Sequence, residues 1–345
     1  MGNSPDFFCA NLSRAAGEDI IGSAPTYETY VFVECPYPWA AKVLNSKHIP
    51  VNLRAVVEEI QQTQDSVRFL LMTADKYQDK DETKVIIFQR KPGFADGYHK
   101  FEFTAEHIEE IASILRNIFI SKIQPLPSIT SKVRDFFICT HGSRDRCCAR
   151  YGYPFYRQAV AMAADLGLED VRFWQVSHIG GHRFAPTMIS FPDGRYYGAL
   201  DETSLRTILL REGDLSCFNR VYRGWGILPP KLQVLERELI LRHGWEWFAY
   251  EAMGRILYED TERNLTKVEL KCGKPKDTTV VYLADIIQDE SKSISVYGSC
   301  NSDHPKKFVK YAVVDIHAVE SRSQKALSLS PRLKNVKYSK LQINR

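Results

Sequence analysis

Apolar positions along the 345-residue chain fall into two successive blocks with the same order of periodicities. In the first, an alternating run at 27–34 reads as a strand that enters Cys35-Pro36-Tyr37-Pro38-Trp39 and is followed by a helix. Three β-rich runs, 67–73, 85–89 and 100–104, then lead into an amphipathic helix at 105–118. Its apolar face carries Ile108, Ile111, Ile114, Leu115 and Ile118 at helical spacing. The second block repeats this order. A strand at 133–139 enters a cysteine-rich loop, a helix spans about 153–166, and a strand at 171–177 delivers His178. Strands at 187–191 and 195–197 pair across Pro192-Asp193-Gly194, and a helix at 201–210 closes the block. The stretch Gln124-Pro125-Leu126-Pro127-Ser128 separates the blocks.

Beyond Trp225 the pattern changes. Pro229-Pro230 starts a helix at 231–243 with Gly244 as its stop, and Trp245, Trp247, Phe248 and Tyr250 follow as packing aromatics. Runs at 267–271, 278–284, 293–297 and 310–318 predict a small accessory sheet. A chain this long exceeds what one core usually holds. The expected division is therefore 1–124, 130–225, an accessory region at 226–320, and a tail at 321–345.

Charge sets the tail apart. The net charge is +4, yet Ser321 to Arg345 holds seven Lys or Arg and no acid, leaving the rest at −3. This reads as a flexible, solvated tail; without an aromatic stacking platform it implies no specific nucleic acid. No run reaches the roughly 20 apolar residues of a membrane span. The start, Met-Gly-Asn-Ser-Pro-Asp, lacks signal-peptide features, and Asp6 stands where a myristoylation motif wants Ser or Thr. A cytoplasmic address is expected, where eight Cys are too sparse for a disulfide scaffold and clustered ones bind metal or carry redox chemistry.

The clustering is local. Cys139-Thr140-His141-Gly142-Ser143-Arg144-Asp145-Arg146-Cys147-Cys148 precedes His178-Ile179-Gly180-Gly181-His182, and together they read as a metal site. The paired glycines would let the backbone wrap an inorganic centre where a Cβ collides. Cys147 and Cys148 are adjacent and cannot easily bind one tetrahedral ion, so one is a bystander. His141 competes as a ligand, although a hydrogen bond to a sulfur suits it better. Arg144, Arg146, Arg150 and Arg183 would form either a positive rim that steers an acidic partner or ordinary paired surface charge.

The order strand, cysteine loop, helix, three strands, helix is the outline of the thioredoxin fold. Within it, Cys139 to Cys148 followed by His178-Ile179-Gly180-Gly181-His182-Arg183-Phe184-Ala185-Pro186 resembles the sucrase/ferredoxin-like family of thioredoxin-like ferredoxins, most strongly over 134–210. The expected class is α/β (α+β): a thioredoxin-like ferredoxin domain, a degenerate thioredoxin-like unit before it, and a helical and β-rich C-terminal extension. What the resemblance implies is a [2Fe–2S] cluster held by Cys139, Cys148, His178 and His182, with no sugar chemistry. The family's nine-residue step favours Cys148 over Cys147. Two thiolates and two neutral imidazoles leave the oxidised cluster uncharged, which raises its potential above that of a four-Cys ferredoxin. The function so implied is electron transfer, coupled to protons through the histidines, by a carrier rather than an enzyme with its own substrate. Its partner would be an acidic-surfaced reductase or ferredoxin.

Two other classes use the same residues. A Cys₂His₂ structural zinc protein would be colourless and redox-inert; a metal-free thiol oxidoreductase would use Cys139, Cys147 or Cys148 directly. A cysteine phosphatase loop would need Arg six residues after Cys139, where Asp145 stands. Cys35 has no second Cys three residues on and reads as structural, while Cys9, Cys217, Cys272 and Cys300 lack metal-ligand spacing and read as packed thiols. The Gly180-Gly181 pair fits neither the dinucleotide nor the P-loop spacing.

Overall fold

In the computed structural model, residues 7–74, 82–122, 133–275 and 277–320 are described; the stretch 124–128 and the basic tail lie outside them. A short helix, α1 (Cys9–Ala15), comes first. Strand β1 (Thr29–Glu34) then pairs in parallel with β2 (Val67–Thr73), a geometry that requires a crossover, and α2 (Val51–Thr63) supplies it. β3 (Thr83–Arg90) runs antiparallel to β1 and pairs with β4 (Tyr98–Ala105), and α3 (Ile111–Phe119) closes the unit after a 3₁₀ turn over the start of the expected helix. The second block builds the same unit: β5 (Arg134–Cys139) parallel to β6 (Val171–Val176) through α4 (Tyr153–Asp165), then β7 (Met188–Phe191), β8 (Arg195–Tyr197) and α5 (Glu202–Leu210). Asp201 caps α5 by accepting the Ser204 N–H in a capping box. The mixed α/β class and the repeat are both as expected from the sequence.

The units join at an edge. β2 and β6 pair antiparallel at Met72 with Val176 and Thr73 with Gln175, and after α6 (Phe218–Val221) a further strand, β9 (Tyr222–Trp225), completes the order β4-β3-β1-β2-β6-β5-β7-β8-β9. The sheet folds back on itself at that seam, because the aromatic faces meet: Phe32 stacks on Phe137 at 3.9 Å and Phe88 on Phe191 at 4.0 Å. Alternate residues of β1, Val31 and Val33, face the other way into a second cluster with Leu53, Val57, Ile111 and Leu115. Both faces of the first sheet are thus buried, which explains its near-continuous apolar runs.

Buried charges staple β4 to the second unit. Lys100 meets Asp135 at 2.7 Å, and Arg172 bridges Asp135 and Glu102, each at 2.7 Å. Burial opposes ionisation of Glu102, but hydrogen bonds from Arg172 and Lys84 outweigh it and hold its carboxyl well below the usual range. A depressed folded value contributes stability above the ordinary Glu pKa of about 4.3 and loses it as pH falls toward the folded value. Glu102→Gln should therefore cost about 1.5–3 kcal/mol at neutral pH, the worth of hydrogen bonds to a charged group. It should also flatten the acid limb of a urea-unfolding series. Parallel pH profiles for the two proteins would count against this staple.

Helix α7 (Pro230–His243) ends at Gly244, whose φ is +66°. An antiparallel sheet of β10 (Glu251–Asp260), β11 (Leu265–Gly273), β12 (Val280–Val296) and β13 (Lys306–Glu320) follows. Its Val268, Leu270 and Ile286 continue the second unit's apolar cluster through Leu232, Leu235 and Leu239. The runs expected at 278–284 and 293–297 belong to the single strand β12, whose register slips between Asp289 and Ile294.

Candidate metal centre

Parallel pairing of β5 and β6 sets Cys139 opposite Val176, so both strands leave the sheet at one edge with Cys139 and His178 adjacent. The loop after Cys139 returns through a π turn, Cys148–Gly152, into α4. That turn lies against the end of β5: a Cβ on Gly152 would collide with the Cys139 carbonyl oxygen. The result is convergence. The His178 Nδ1 lies 3.9 Å from Cys139 Sγ and 3.8 Å from Cys148 Sγ, and the three ligand atoms fall within 4.8 Å of one another. Both sulfurs are buried, while His178 and His182 are only partly so.

His182 stands beside this triad rather than within it. Its ring stacks on His178 with centroids 4.9 Å apart, and its Nε2 donates to the Gly298 carbonyl at 2.7 Å. That bond fixes the tautomer, leaving a lone pair on Nδ1. Among the described residues this Nδ1 is buried without any hydrogen-bond partner. Burial holds the imidazole below its ordinary range, hence neutral, despite Asp145 Oδ2 at 3.7 Å. A buried, neutral, unpaired imidazole nitrogen next to two thiols and a second imidazole suits a metal group.

The thiols are electronically unequal. Burial disfavours the Cys139 thiolate, yet hydrogen bonds from Cys148, His178 and the His141 backbone outweigh it and hold Cys139 well below the usual thiol range. Its hydrogen bond to Cys139, reinforced by burial, pushes Cys148 up. One sulfur is therefore ready to ligate as thiolate, and the second must release a proton when metal binds.

Neighbouring residues hold this arrangement. His141 accepts the His178 N–H on Nδ1 at 3.2 Å, so its Nε2 carries the proton and donates to the Ala40 carbonyl at 2.9 Å. With both nitrogens engaged, its ring positions His178 instead of bonding a sulfur. The glycine expectation also changes. Gly180 and Gly181 have φ of +87° and +75°, but a Cβ on Gly181 would strike Arg223 and Phe184, not the ligands. Arg223, buried and lowered to about 10 by desolvation, donates to the Gly180 carbonyl at 3.0 Å and to the Ser23 carbonyl at 2.7 Å. No sequence spacing pointed to it. Of the four arginines, Arg144, Arg146 and Arg150 are exposed on the cysteine loop, whereas Arg183 pairs with buried Glu18 at 3.0 Å.

Cys147 points away from the triad. Its sulfur lies 3.5 Å from that of Cys9 and 3.3 Å from that of Cys300, and with Asp145 these form a second buried group, where the sequence alone suggests only dispersed, packed thiols. Cys35 and Cys272 remain outside both groups, each pushed up to about 12 by burial, and Cys217 is half-buried elsewhere.

The sucrase/ferredoxin-like family model matches residues 20–224, spanning both units, the cysteine loop and the two histidines. The chain belongs to the sucrase/ferredoxin-like family. No match was found among curated proteins or among solved structures. The family match contains Cys139, Cys148, His178 and His182, and also Cys147, but neither Cys9 nor Cys300. For this family member the Cys and His groups are compatible with metal binding. No helix among the described residues is long and apolar enough to cross a membrane.

Proposed function

We propose that the chain is an electron-transfer protein that carries a [2Fe–2S] cluster on Cys139, Cys148, His178 and His182. The observation that carries this reading is the orphaned Nδ1 of His182, buried beside a Cys-Cys-His triad that it does not join. Three donors converging within 4.8 Å would suit one ion, but a fourth donor standing off from them suits a group with two metal atoms. When bound, such a cluster supplies one-electron redox chemistry.

The protein's own part is positional and electrostatic. The Gly298 carbonyl and the Asp145 carboxylate orient His182, and His141 and Arg223 fix the turn that bears both histidines. Burial excludes water from the sulfurs, so the partly exposed imidazoles are the side from which electrons enter and leave. His182 keeps its proton on Nε2 against Gly298, a ring proton through which electron transfer at the cluster would be coupled to proton transfer. The exposed Arg144, Arg146 and Arg150 would steer an acidic reductase or ferredoxin to this edge.

Anaerobically purified protein is expected to be red-brown with about two iron and two sulfide per chain, and its reduced form should show nitrogen couplings in electron spin echo spectra. Colourless, iron-free protein from iron-replete cells would overturn the reading.

A further inference from the structure

We propose that Cys9, Cys147, Cys300 and Asp145 form a second metal site, separate from the first, that takes one zinc ion. The three sulfurs come from the start of α1, the turn before α4 and the loop between β12 and β13, and all are buried. They form a triangle with sides of 3.3, 3.5 and 3.6 Å. Zn–S bonds of about 2.3 Å set the edge of a tetrahedron near about 3.8 Å, so the triangle needs to open only slightly to become one tetrahedral face. A disulfide would join two of these sulfurs and strand the third.

The fourth corner is Asp145. Its Oδ1 lies 3.9 Å from Cys9 Sγ and accepts the Cys147 N–H at 2.9 Å, while Oδ2 accepts the Cys300 N–H at 3.0 Å and the Ser299 hydroxyl at 2.8 Å. The thiols are supported in turn: the Cys9 N–H points to Cys300 Sγ and the Ala10 N–H to Cys147 Sγ, each at 3.4 Å. Outer bonds of this kind orient ligands and offset thiolate charge. Without a cation, three thiols and a carboxylate share one desolvated pocket, an expensive arrangement.

The donor set selects the ion. Three thiolates converging on one point fit a single ion and not a [2Fe–2S] cluster, in which each iron takes two protein ligands. Thiolates with one carboxylate in a closed tetrahedral pocket favour zinc in a structural role. Cys147 is separated from Cys9 by 138 positions and from Cys300 by 153, so the ion would tie the two ends of the described chain to the cysteine loop. It would also anchor the loop whose Gly298 holds His182.

Metal analysis and zinc-edge X-ray absorption of the full chain test this without any substitution. About one zinc per chain with three sulfur neighbours near 2.3 Å and one oxygen near 2.0 Å is expected. Cys9→Ser and Cys300→Ser should lose the zinc. Iron at the first site, measured in the same samples, reports separately, so failure of one site is not read as failure of the other. Three outcomes would overturn the proposal: zinc-free wild-type protein, a disulfide among the three sulfurs, or zinc retained by the Cys9→Ser/Cys300→Ser double variant.

Discussion

Cys148→Ser is expected to strip the protein of iron, whereas Cys147→Ser, one residue earlier, is expected to keep it. Adjacent side chains on the turn entering α4 diverge: Cys148 Sγ faces His178 Nδ1 at 3.8 Å, and Cys147 Sγ faces Cys300 Sγ at 3.3 Å. A serine hydroxyl at position 148 is shorter, harder and far less acidic than a thiol, so it cannot replace the thiolate on a soft centre. Cys147→Ser removes a proposed zinc ligand but none of the four proposed iron ligands. Iron and sulfide analysis with visible spectra of the two variants is the measurement. Iron retained by Cys148→Ser and lost from Cys147→Ser would reassign the ligand to Cys147. Loss in both would show that Cys147, through packing or through the proposed zinc, supports the elements that carry the iron ligands.

What the sequence revealed and what it hid follow from the range of the forces involved. Strand alternation and helical spacing are local, so the doubled unit could be read from the chain, with β2 and β8 found at the expected residues. The cysteine loop and the two histidines stood out as candidates because each is a local cluster of Cys or His, and pairing of β5 with β6 turns the 39-residue separation of Cys139 and His178 into contact, with His182 beside that triad. Cys9 and Cys300 were not. They lie 291 positions apart, on a seven-residue helix and a loop between long strands, and no periodicity links them to Cys147. β12 reads as two runs because Asp289 to Lys292, polar and exposed or half-buried, interrupts its apolar alternation at the bulge while the backbone pairing resumes beyond it. The back-folding of the sheet is likewise a tertiary event: the apolar character of Phe32 and Phe137 was visible, but not that they stack on each other.

Gly152→Ala is expected to destabilise the protein and empty the first site together. At most positions inside a helix this change would help, since Ala is favoured over Gly by about 1 kcal/mol, and Gly152, between the π turn and α4, has an ordinary helical φ of −73°. Sterics reverse the sign. The added Cβ would overlap the Cys139 carbonyl oxygen and sit 3.0 Å from its carbon, and both are backbone atoms that no rotamer change can move. Relief requires the end of β5 and the π turn to separate, and these two segments carry Cys139 and Cys148. Overpacking of this kind costs about 1–3 kcal/mol, and the displacement falls on the spacing that brings the two sulfurs within reach of His178. Lower thermal stability with substoichiometric iron, read by calorimetry and metal analysis on the same sample, is the expected result. Wild-type melting and full iron loading in Gly152→Ala would show that the strand and turn can part without disturbing the ligands.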